Sequence, residues 1–245
     1  MAKPKQNQIE HDSLIGRLPI TAVSPVVDGG AYLAKAFVGE VIPFSAVVFR
    51  EGHDALGVEL ILTSPTAKVS VHRMQPGSLG SDSWHTVAQL AEQGEYKFQI
   101  RAFGDDYETW HHNATVKLAI GADEELMMLE GVNMFAGAAA EADRSASEAK
   151  KLVELAEKLS DRAKSAKARL AEAESSTIAK YLAENPIRSL VTLSEVFRIK
   201  CEREFAGAAA WYEFFPRSEG AVLDPKTKTW TSGNFKTASK RLVAI

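Results

Sequence analysis

A strict alternation of apolar and polar residues between positions 94 and 101 constrains the fold more than any other feature of the sequence. Tyr96, Phe98 and Ile100 alternate with charged or polar residues, so they would share one face of an extended strand. A period of two residues is typical of a strand with one buried face. This part of the chain is therefore predicted to be a half-buried β-strand.

The β-type pattern extends over residues 14–121. Apolar runs at 44–50 and 58–63 are bounded by Gly, Pro, Asp and Ser residues, and residues 110–120 again alternate. Several strands at turn spacings of about 8–12 residues favour an immunoglobulin-like β-sandwich over an open sheet. We predict this sandwich for residues 14–121, preceded by a polar, disordered tail at 1–13.

A coiled-coil-like helical insert is predicted for residues 122–186. Asp123 is a typical N-cap residue, and the next two residues, both Glu, suit the positive end of a helix dipole. Proline disfavours helical geometry in the residue before it, so Asn185 followed by Pro186 would end the region. The insert is predicted to begin with a helix at 123–140.

A second, longer helix is predicted from 142 to 173, where small apolar residues recur at alternating steps of three and four. It would be about 45 Å long and marginally stable alone. The apolar stripe formed by these residues, called the seam below, could pack within the chain or against a second copy. Gly131 and Gly137 make helix 123–140 a weak internal partner for it. The seam comprises Ala142, Ser145, Ala149, Leu152, Ala156, Leu159, Ala163, Ala166, Leu170 and Ala173.

Residues 187–245 predict the first β/α unit of an incomplete TIM-type barrel. The run 209–215 is aromatic and apolar without alternation, which is typical of a strand buried on both faces of a parallel sheet. A polar stretch with Pro and Gly follows. Phe235, Ala238, Leu242 and Ile245 then recur at helical spacing.

Composition excludes several classes of function. A formal net charge of -3 gives no basic surface of the kind that binds nucleic acid or anionic membranes. The single cysteine, Cys201, cannot form an internal disulfide, which favours a reducing cytoplasm. Neither a signal peptide nor an apolar run of about 20 residues is present.

Several blocks resemble the maltose-1-phosphate maltosyltransferases of the α-amylase superfamily. The strongest is 211–218, followed by 232–236 and then Arg241-Leu242. Residues 16–20 and 23–28 resemble the opening of that family, and residues 41–43 and 48–54 resemble its next signature. The resemblance is collinear from about Gly16 to Leu242, which is more specific than a single short motif.

The resemblance implies transfer of maltosyl units from α-maltose 1-phosphate to the non-reducing end of an α-1,4-glucan, with release of phosphate. It places the nucleophilic Asp and the acid/base Glu of this retaining reaction on later barrel strands. Their motifs do not occur in this chain, so we predict no catalytic residue here and no activity from the chain alone. The family implies no metal and no organic cofactor. The alternative is a glucan-binding or assembly module, or a remnant of a truncated gene.

The resemblance also implies a homodimer built through the sandwich and the helical insert. It therefore favours the intermolecular interpretation of the helical seam. The residues predicted at this interface are Ala149, Leu152, Ala156, Leu159 and Ala163.

Two tryptophans are the candidate glucan contacts. Trp84 and Trp110 could each offer an aromatic face to a sugar ring, although a tryptophan that supports the sandwich core is the commoner role. Residues 51–54 (Glu-Gly-His-Asp) could form a catalytic or metal cluster, but a turn after a strand is the simpler interpretation.

Two further groups invite a functional interpretation. His111 and His112 would point to opposite faces of the predicted strand, so they could not bind one metal ion. Glu213 could be mistaken for a catalytic carboxylate in a barrel strand. A buried carboxylate paired with an arginine, such as Arg217, is the favoured interpretation.

Overall fold

The structure, a computed structural model, describes residues 17–141, 144–208 and 210–244. It divides into two compact units, Met1–Arg203 and Glu204–Ile245. The predicted tail at 1–13 lies outside the described residues, as do Gly16, Ala142, Ala209 and Ile245. In the part of the chain that is described, no helix is long and apolar enough to cross a membrane.

Most strands of the first unit are short, and the first eight follow one another closely along the chain. Their bounds are β1 Ile20–Ser24, β2 Ala34–Phe37, β3 Val41–Val48, β4 Leu56–Thr63, β5 Val69–Arg73, β6 Gln75–Pro76, β7 Ser83–Gln89, β8 Gly94–Asp105, β9 Arg188–Leu193 and β10 Phe197–Glu202. One sheet has the order β1-β3-β7-β6, and the other has the order β2-β10-β8-β4-β5, with β9 also paired to β8.

The two sheets pack face to face around a shared apolar core. In β3, Phe44 and its alternate neighbours are buried, and the ring of Phe44 meets that of Phe98 in β8 edge to face, with centroids 5.1 Å apart. Tyr96 and Ile100 are buried on the same side of β8 as Phe98. The predicted strands at 44–50, 58–63 and 94–101 are thus confirmed, each with bounds that differ by a few residues.

The predicted end of the sandwich at residue 121 is wrong. Strands β9 and β10 lie after the helices, yet both pair with β8, and β10 also runs parallel to β2. Ile199 and Cys201 alternate with charged residues in β10, and both are fully buried in the sandwich core. Residues 188–202 therefore complete the sandwich, and the predicted boundary of the barrel at 187 is too early.

The strand predicted at 110–120 is a helix, α1, Asp106–Ala119. Its N-cap is Asp105, whose carboxylate accepts a hydrogen bond from the backbone N–H of Glu108 at 3.3 Å. The buried residues Tyr107, Trp110 and Ala114 are spaced by three and four, as the buried face of a helix requires. The apparent alternation failed because it grouped the buried Ala114 with His112, Val116 and Ile120, which the helix leaves exposed.

Four further helices complete the insert as it is described: α2 Glu124–Ala139, α3 Ala146–Ser160, α4 Ala166–Ala173 and α5 Ser176–Glu184. The prediction of a single helix from 142 to 173 is wrong, because α3 ends at Ser160 and α4 begins only at Ala166. Ser145 caps α3 in a capping box, and Ser165 caps α4 by accepting from the N–H of Ala168. Ser165, a typical N-cap residue inside the predicted helix, was the missed sign that a new helix begins there.

The seam packs inside the chain. Leu152 and Leu159 are both 0% exposed, and α3 lies against α2 in a core that also contains Trp110 and Phe135. The predicted intermolecular interface at these residues is therefore wrong, because they are not available to a second copy. The other predicted interface residues differ in position: Ala156 is buried, Ala149 is half-buried, and Ala163 is exposed between α3 and α4.

The second unit has little regular structure. It contains a short 3-10 helix at Glu204–Ala208, a hairpin of β11 Val222–Leu223 and β12 Trp230–Thr231, a turn of helix α6 at Phe235–Ala238, and a 3-10 helix at Ser239–Ala244. The strand predicted at 209–215 is not formed at 210–215. A strand buried on both faces needs neighbouring strands, and within this unit the described residues offer only the short hairpin.

Candidate functional site

Trp84 lies in β7 at the rim of the sandwich. Its indole Nε1 donates a hydrogen bond to the carbonyl of Val48 at 3.2 Å, which fixes the ring, and the side chain is half-buried against the core. Trp84 lines an open cavity of about 400 Å³ together with Phe49 and the fully exposed Leu79. Part of this tryptophan is therefore accessible to a ligand.

Trp110 has no such access. It is 5% exposed on the inner face of α1, and its Nε1 donates to the carbonyl of Met127 at 2.7 Å. Phe135 packs edge to face against the indole, with centroids 5.6 Å apart. The predicted glucan contact at Trp110 is wrong, because this side chain belongs to the core of the helical insert.

Residues 51–53 form a bend, which confirms the turn interpretation of this motif. Gly52 has φ 93°, a left-handed conformation that glycine adopts readily. The Asp54 carboxylate accepts a hydrogen bond from Arg50 Nη2 at 2.7 Å, in an ion pair next to the bend. The carboxylate is thus paired with an arginine.

His111 and His112 lie on α1, so the argument from opposite faces of a strand does not apply. His111 Nε2 lies 2.9 Å from Glu174 Oε1, and its ring stacks on Tyr107 with centroids 5.6 Å apart. His112 is exposed. Within the described ranges, no group of three His, Cys, Asp or Glu side chains is placed to hold a metal ion.

Glu213 is exposed in the irregular segment after the first 3-10 helix of the second unit. The prediction of a buried carboxylate paired with Arg217 is therefore wrong.

Two buried carboxylates lie where the sandwich meets the helical insert, each paired with half-buried arginines, and the sequence did not predict them. Glu59 of β4 is 3% exposed and accepts hydrogen bonds from Arg101 Nε at 2.8 Å and Arg188 Nη2 at 2.9 Å. Asp105, 4% exposed, accepts from Arg73 Nη2 at 2.7 Å. Glu59 within the apolar run 58–63 was the available signal, because an isolated charge in a buried strand requires a partner.

Asp106 is the next residue along from this group, and burial raises the pKa of its carboxyl group. The hydroxyl of Ser189 donates a hydrogen bond to Asp106 Oδ1 at 2.5 Å, which acts in the opposite direction. Burial outweighs this hydrogen bond, so the protonated form of Asp106 is favoured relative to an ordinary aspartate.

A second kind of surface is found after residue 203, where large apolar side chains are exposed. Trp211 is fully exposed, and Phe235 is 84% exposed. Apolar side chains clustered in so short a segment are typical of a surface that another part of a protein covers. The others are Phe205, Tyr212, Phe215, Val222, Leu223, Trp230, Leu242 and Val243.

Taken together, the first unit is a β-sandwich that carries an inserted helical module, and its buried charges are paired with one another at their junction. A family model described as "Alpha-1,4-glucan:maltose-1-phosphate maltosyltransferase, domain N/S" matches residues 16–203. The chain belongs to this maltosyltransferase family, and the predicted resemblance is confirmed.

Curated relatives support the same family. The chain is 38% identical over 237 residues to α-1,4-glucan:maltose-1-phosphate maltosyltransferase 1 of Streptomyces coelicolor, covering 96% of this chain and 34% of the relative. It is 34% identical to the Corynebacterium glutamicum enzyme over 245 residues (95% and 35%) and 32% identical to the Mycobacterium tuberculosis enzyme over 256 residues (94% and 36%). The chain thus spans about a third of the length of these relatives.

Proposed function

We propose that the chain is the N-terminal, non-catalytic region of a cytoplasmic α-1,4-glucan:maltose-1-phosphate maltosyltransferase. In the whole protein, this region would support transfer of maltosyl units from α-maltose 1-phosphate to an α-1,4-glucan in glycogen or α-glucan biosynthesis. The match of residues 16–203 to the domain N/S model carries the proposal. In this proposal, the sandwich is of the immunoglobulin-like type.

The exposed apolar side chains after Arg203 support a second part of the proposal. Trp211, Phe215 and Phe235 would be covered by neighbouring strands and helices if residues 204–245 were the beginning of a catalytic barrel. The barrel boundary then lies at Arg203, where the compact first unit ends. The retaining pair of carboxylates would come from later barrel strands.

Complementation tests the proposal directly. The purified chain, incubated with α-maltose 1-phosphate and a maltooligosaccharide acceptor, should release no more phosphate than buffer. Co-expressed with a Streptomyces coelicolor relative that lacks its own domain N/S, the chain should restore phosphate release that neither partner gives alone. Phosphate release by the chain alone, or no restoration by a co-purifying pair, would contradict the proposal.

A homodimer is part of the same proposal, but its interface must lie outside the buried seam of α3. Sedimentation equilibrium of the chain should give twice the monomer mass. A double substitution of the exposed Val153 and Ala163 should leave that mass unchanged, because the proposed interface lies elsewhere. If the parent chain sediments as a monomer, the homodimer is no longer part of the proposal.

Glucan binding by the sandwich is the second candidate function, and the accessible part of Trp84 favours it. Calorimetric titration with maltoheptaose should give heat with the parent chain and none with Trp84→Ala. Trp230, 68% exposed in the hairpin of the second unit, provides the matched control. Equal binding by Trp84→Ala and Trp230→Ala would exclude Trp84 as the contact.

A further inference from the structure

The sandwich and the helical insert are joined through a narrow connection. We call it the neck: Asp105 and Asp106 at the end of β8 and the start of α1, and Ile187 and Arg188 where the chain returns to β9. Asp105 pairs with Arg188 in the β8–β9 ladder, and the N–H of Asp106 donates to the carbonyl of Ile187 at 3.2 Å. The chain therefore leaves the sheet and returns to it at adjacent positions.

The two modules have separate cores. Among the described residues, the buried apolar side chains fall into one cluster in the sandwich and another in the helices, and these share no member. The larger packing contacts between elements are those of strands with strands and of helices with helices. The neck is therefore the main backbone link between the modules, and two adjacent strands alone would allow bending and twisting about it.

Phe103 marks the point where this freedom is restricted. It is 0% exposed, yet it belongs to neither core. The guanidinium carbons of Arg73 and Arg188 lie 5.0 and 5.1 Å from the centre of its ring. A Cβ atom on Gly57 would lie 2.4 Å from the ring, so this position must be glycine for Phe103 to occupy its site.

Arg73 pairs with Asp105, and Arg101 and Arg188 pair with Glu59; we call these five residues the arginine clamp. Arg73 joins β5 to the N-cap of α1 through Asp105. Arg188 joins the returning strand to Glu59 of β4. Both ends of the helical insert are thus tied to strands of the sandwich by charge-assisted hydrogen bonds of fixed geometry.

The clamp is a poor way to gain stability. Burying charges carries a desolvation penalty that their mutual attraction offsets only in part. Arg73 Nη1 and Arg188 Nε are also buried without a hydrogen-bond partner in the described protein. Apolar side chains would fill the same space at lower energetic cost, whereas planar guanidinium groups fix direction and distance.

We propose that the arginine clamp is an orientation lock that fixes the helical insert relative to the sandwich. Without it, the neck acts as a hinge while both modules stay folded. This inference goes beyond the proposed function and does not depend on maltosyl transfer.

Distance measurements between two spin labels test the lock. One label is placed at exposed Val87 on the sandwich and the other at exposed Ala171 on α4, each as an introduced cysteine. The native Cys201 is fully buried, and burial raises the pKa of its thiol, so it reacts slowly. The parent chain should give a narrow distance distribution by pulsed electron resonance.

Two variants remove the clamp in different ways. The double variant Arg73→Met with Asp105→Asn removes one ion pair but keeps an N-cap on α1, and Arg188→Met removes the side-chain link between the returning strand and Glu59. Each should widen the distribution relative to that of the parent, as expected of a released hinge, with circular dichroism unchanged. Arg198→Met, which removes the exposed pair with Glu95 at 3.8 Å, is the control and should leave the width unchanged.

Two outcomes would overturn the lock. A distribution as narrow as that of the parent in both folded variants would show that other contacts fix the orientation. Loss of the circular dichroism signal in both variants would show that the clamp holds the fold itself together.

Discussion

A Cβ atom on Gly131 of α2 would lie 2.5 Å from Cζ2 of the Trp110 indole. It would also lie 3.0 Å from Cδ1 of Leu159. Gly131 therefore lets α2 approach both α1 and α3 closely. The sequence had suggested that this glycine weakens the helix, whereas the structure gives it a role in packing.

We expect Gly131→Ala to destabilise the chain although alanine is the better helix former. The propensity gain of about 1 kcal/mol is outweighed by overpacking against a rigid indole, which costs about 1–3 kcal/mol, for a net loss of up to about 2 kcal/mol. Gly137→Ala in the same helix is the matched control, since a Cβ there meets nothing within 4 Å. Urea denaturation should show this control to be more stable by about 0.5–1 kcal/mol. A stabilised Gly131→Ala would contradict the packing argument.

The sequence predicted β8 from its alternation and parts of β3 and β4 from their apolar runs. Tyr96, Phe98 and Ile100 fixed β8, because one polar face and one buried face leave a period of two. At residues 110–120 the same test failed. Small residues such as Ala114 satisfy a period of two and a helical period equally well, and the N-cap at Asp105 is recognised only once the preceding strand is known to end there.

Pairing between distant segments could not be predicted from local patterns. Strand β10 alternates at Phe197, Ile199 and Cys201. Its place between β2 and β8, however, depends on how the chain returns to the sheet after the 82 residues from Asp106 to Ile187. The arginine clamp likewise joins residues that are far apart in the sequence. Arg188 and Glu59 are 129 positions apart, so only Glu59, a lone charge in an apolar strand, gave any local sign of it.

The raised pKa of Asp106 predicts a stabilising substitution. Burial disfavours the charged form of Asp106 in the folded state. The contribution of this carboxyl group to the free energy of unfolding is therefore fully present below its unfolded pKa and is lost as pH rises through its folded pKa. Asp106→Asn, which can still accept from Ser189, should therefore raise the free energy of unfolding at about pH 7 but not at about pH 3.

Thermal denaturation at the two pH values measures the effect of Asp106→Asn. Glu108→Gln removes the same charge from the same turn of α1 at an exposed position, so it controls for net charge. Equal shifts of the midpoint in the two variants would mean that burial of Asp106 is not the cause.

Arg169 ties three helices together from a buried position. It is 2% exposed, donates to the carbonyl of Leu159 at the end of α3 at 3.1 Å, and pairs with Glu125 at the start of α2. Arg169→Met leaves the Leu159 carbonyl without this donor, so we expect a loss of about 1–3 kcal/mol in urea denaturation. Arg162→Gln removes an exposed partner of Glu125 and should leave the denaturation midpoint close to that of the parent, because solvent screens exposed ion pairs.

The Arg169→Met effect should also depend on pH. The hydrogen bond from Arg169 holds the pKa of Glu125 below its ordinary value. A lowered pKa stabilises the fold above the unfolded pKa, and this contribution is lost as pH falls through the folded pKa. The difference between parent and variant should therefore shrink under acidic conditions; a difference that grows there would contradict the pairing.

The position of β10 determines where the chain can be shortened. A chain that ends at Arg203 keeps every strand of both sandwich sheets and loses the exposed Trp211, Phe215 and Phe235. We expect it to stay folded and to aggregate less, because the exposed apolar segment is gone. A chain that ends at Asn185 loses β9 and β10, which leaves one edge of β8 unpaired, removes Ile199 and Cys201 from the core and removes the partner of β2, so its sandwich should unfold. Light scattering and near-ultraviolet circular dichroism of the two chains test this, and a folded, monodisperse chain ending at Asn185 would show that β10 is dispensable to the sandwich.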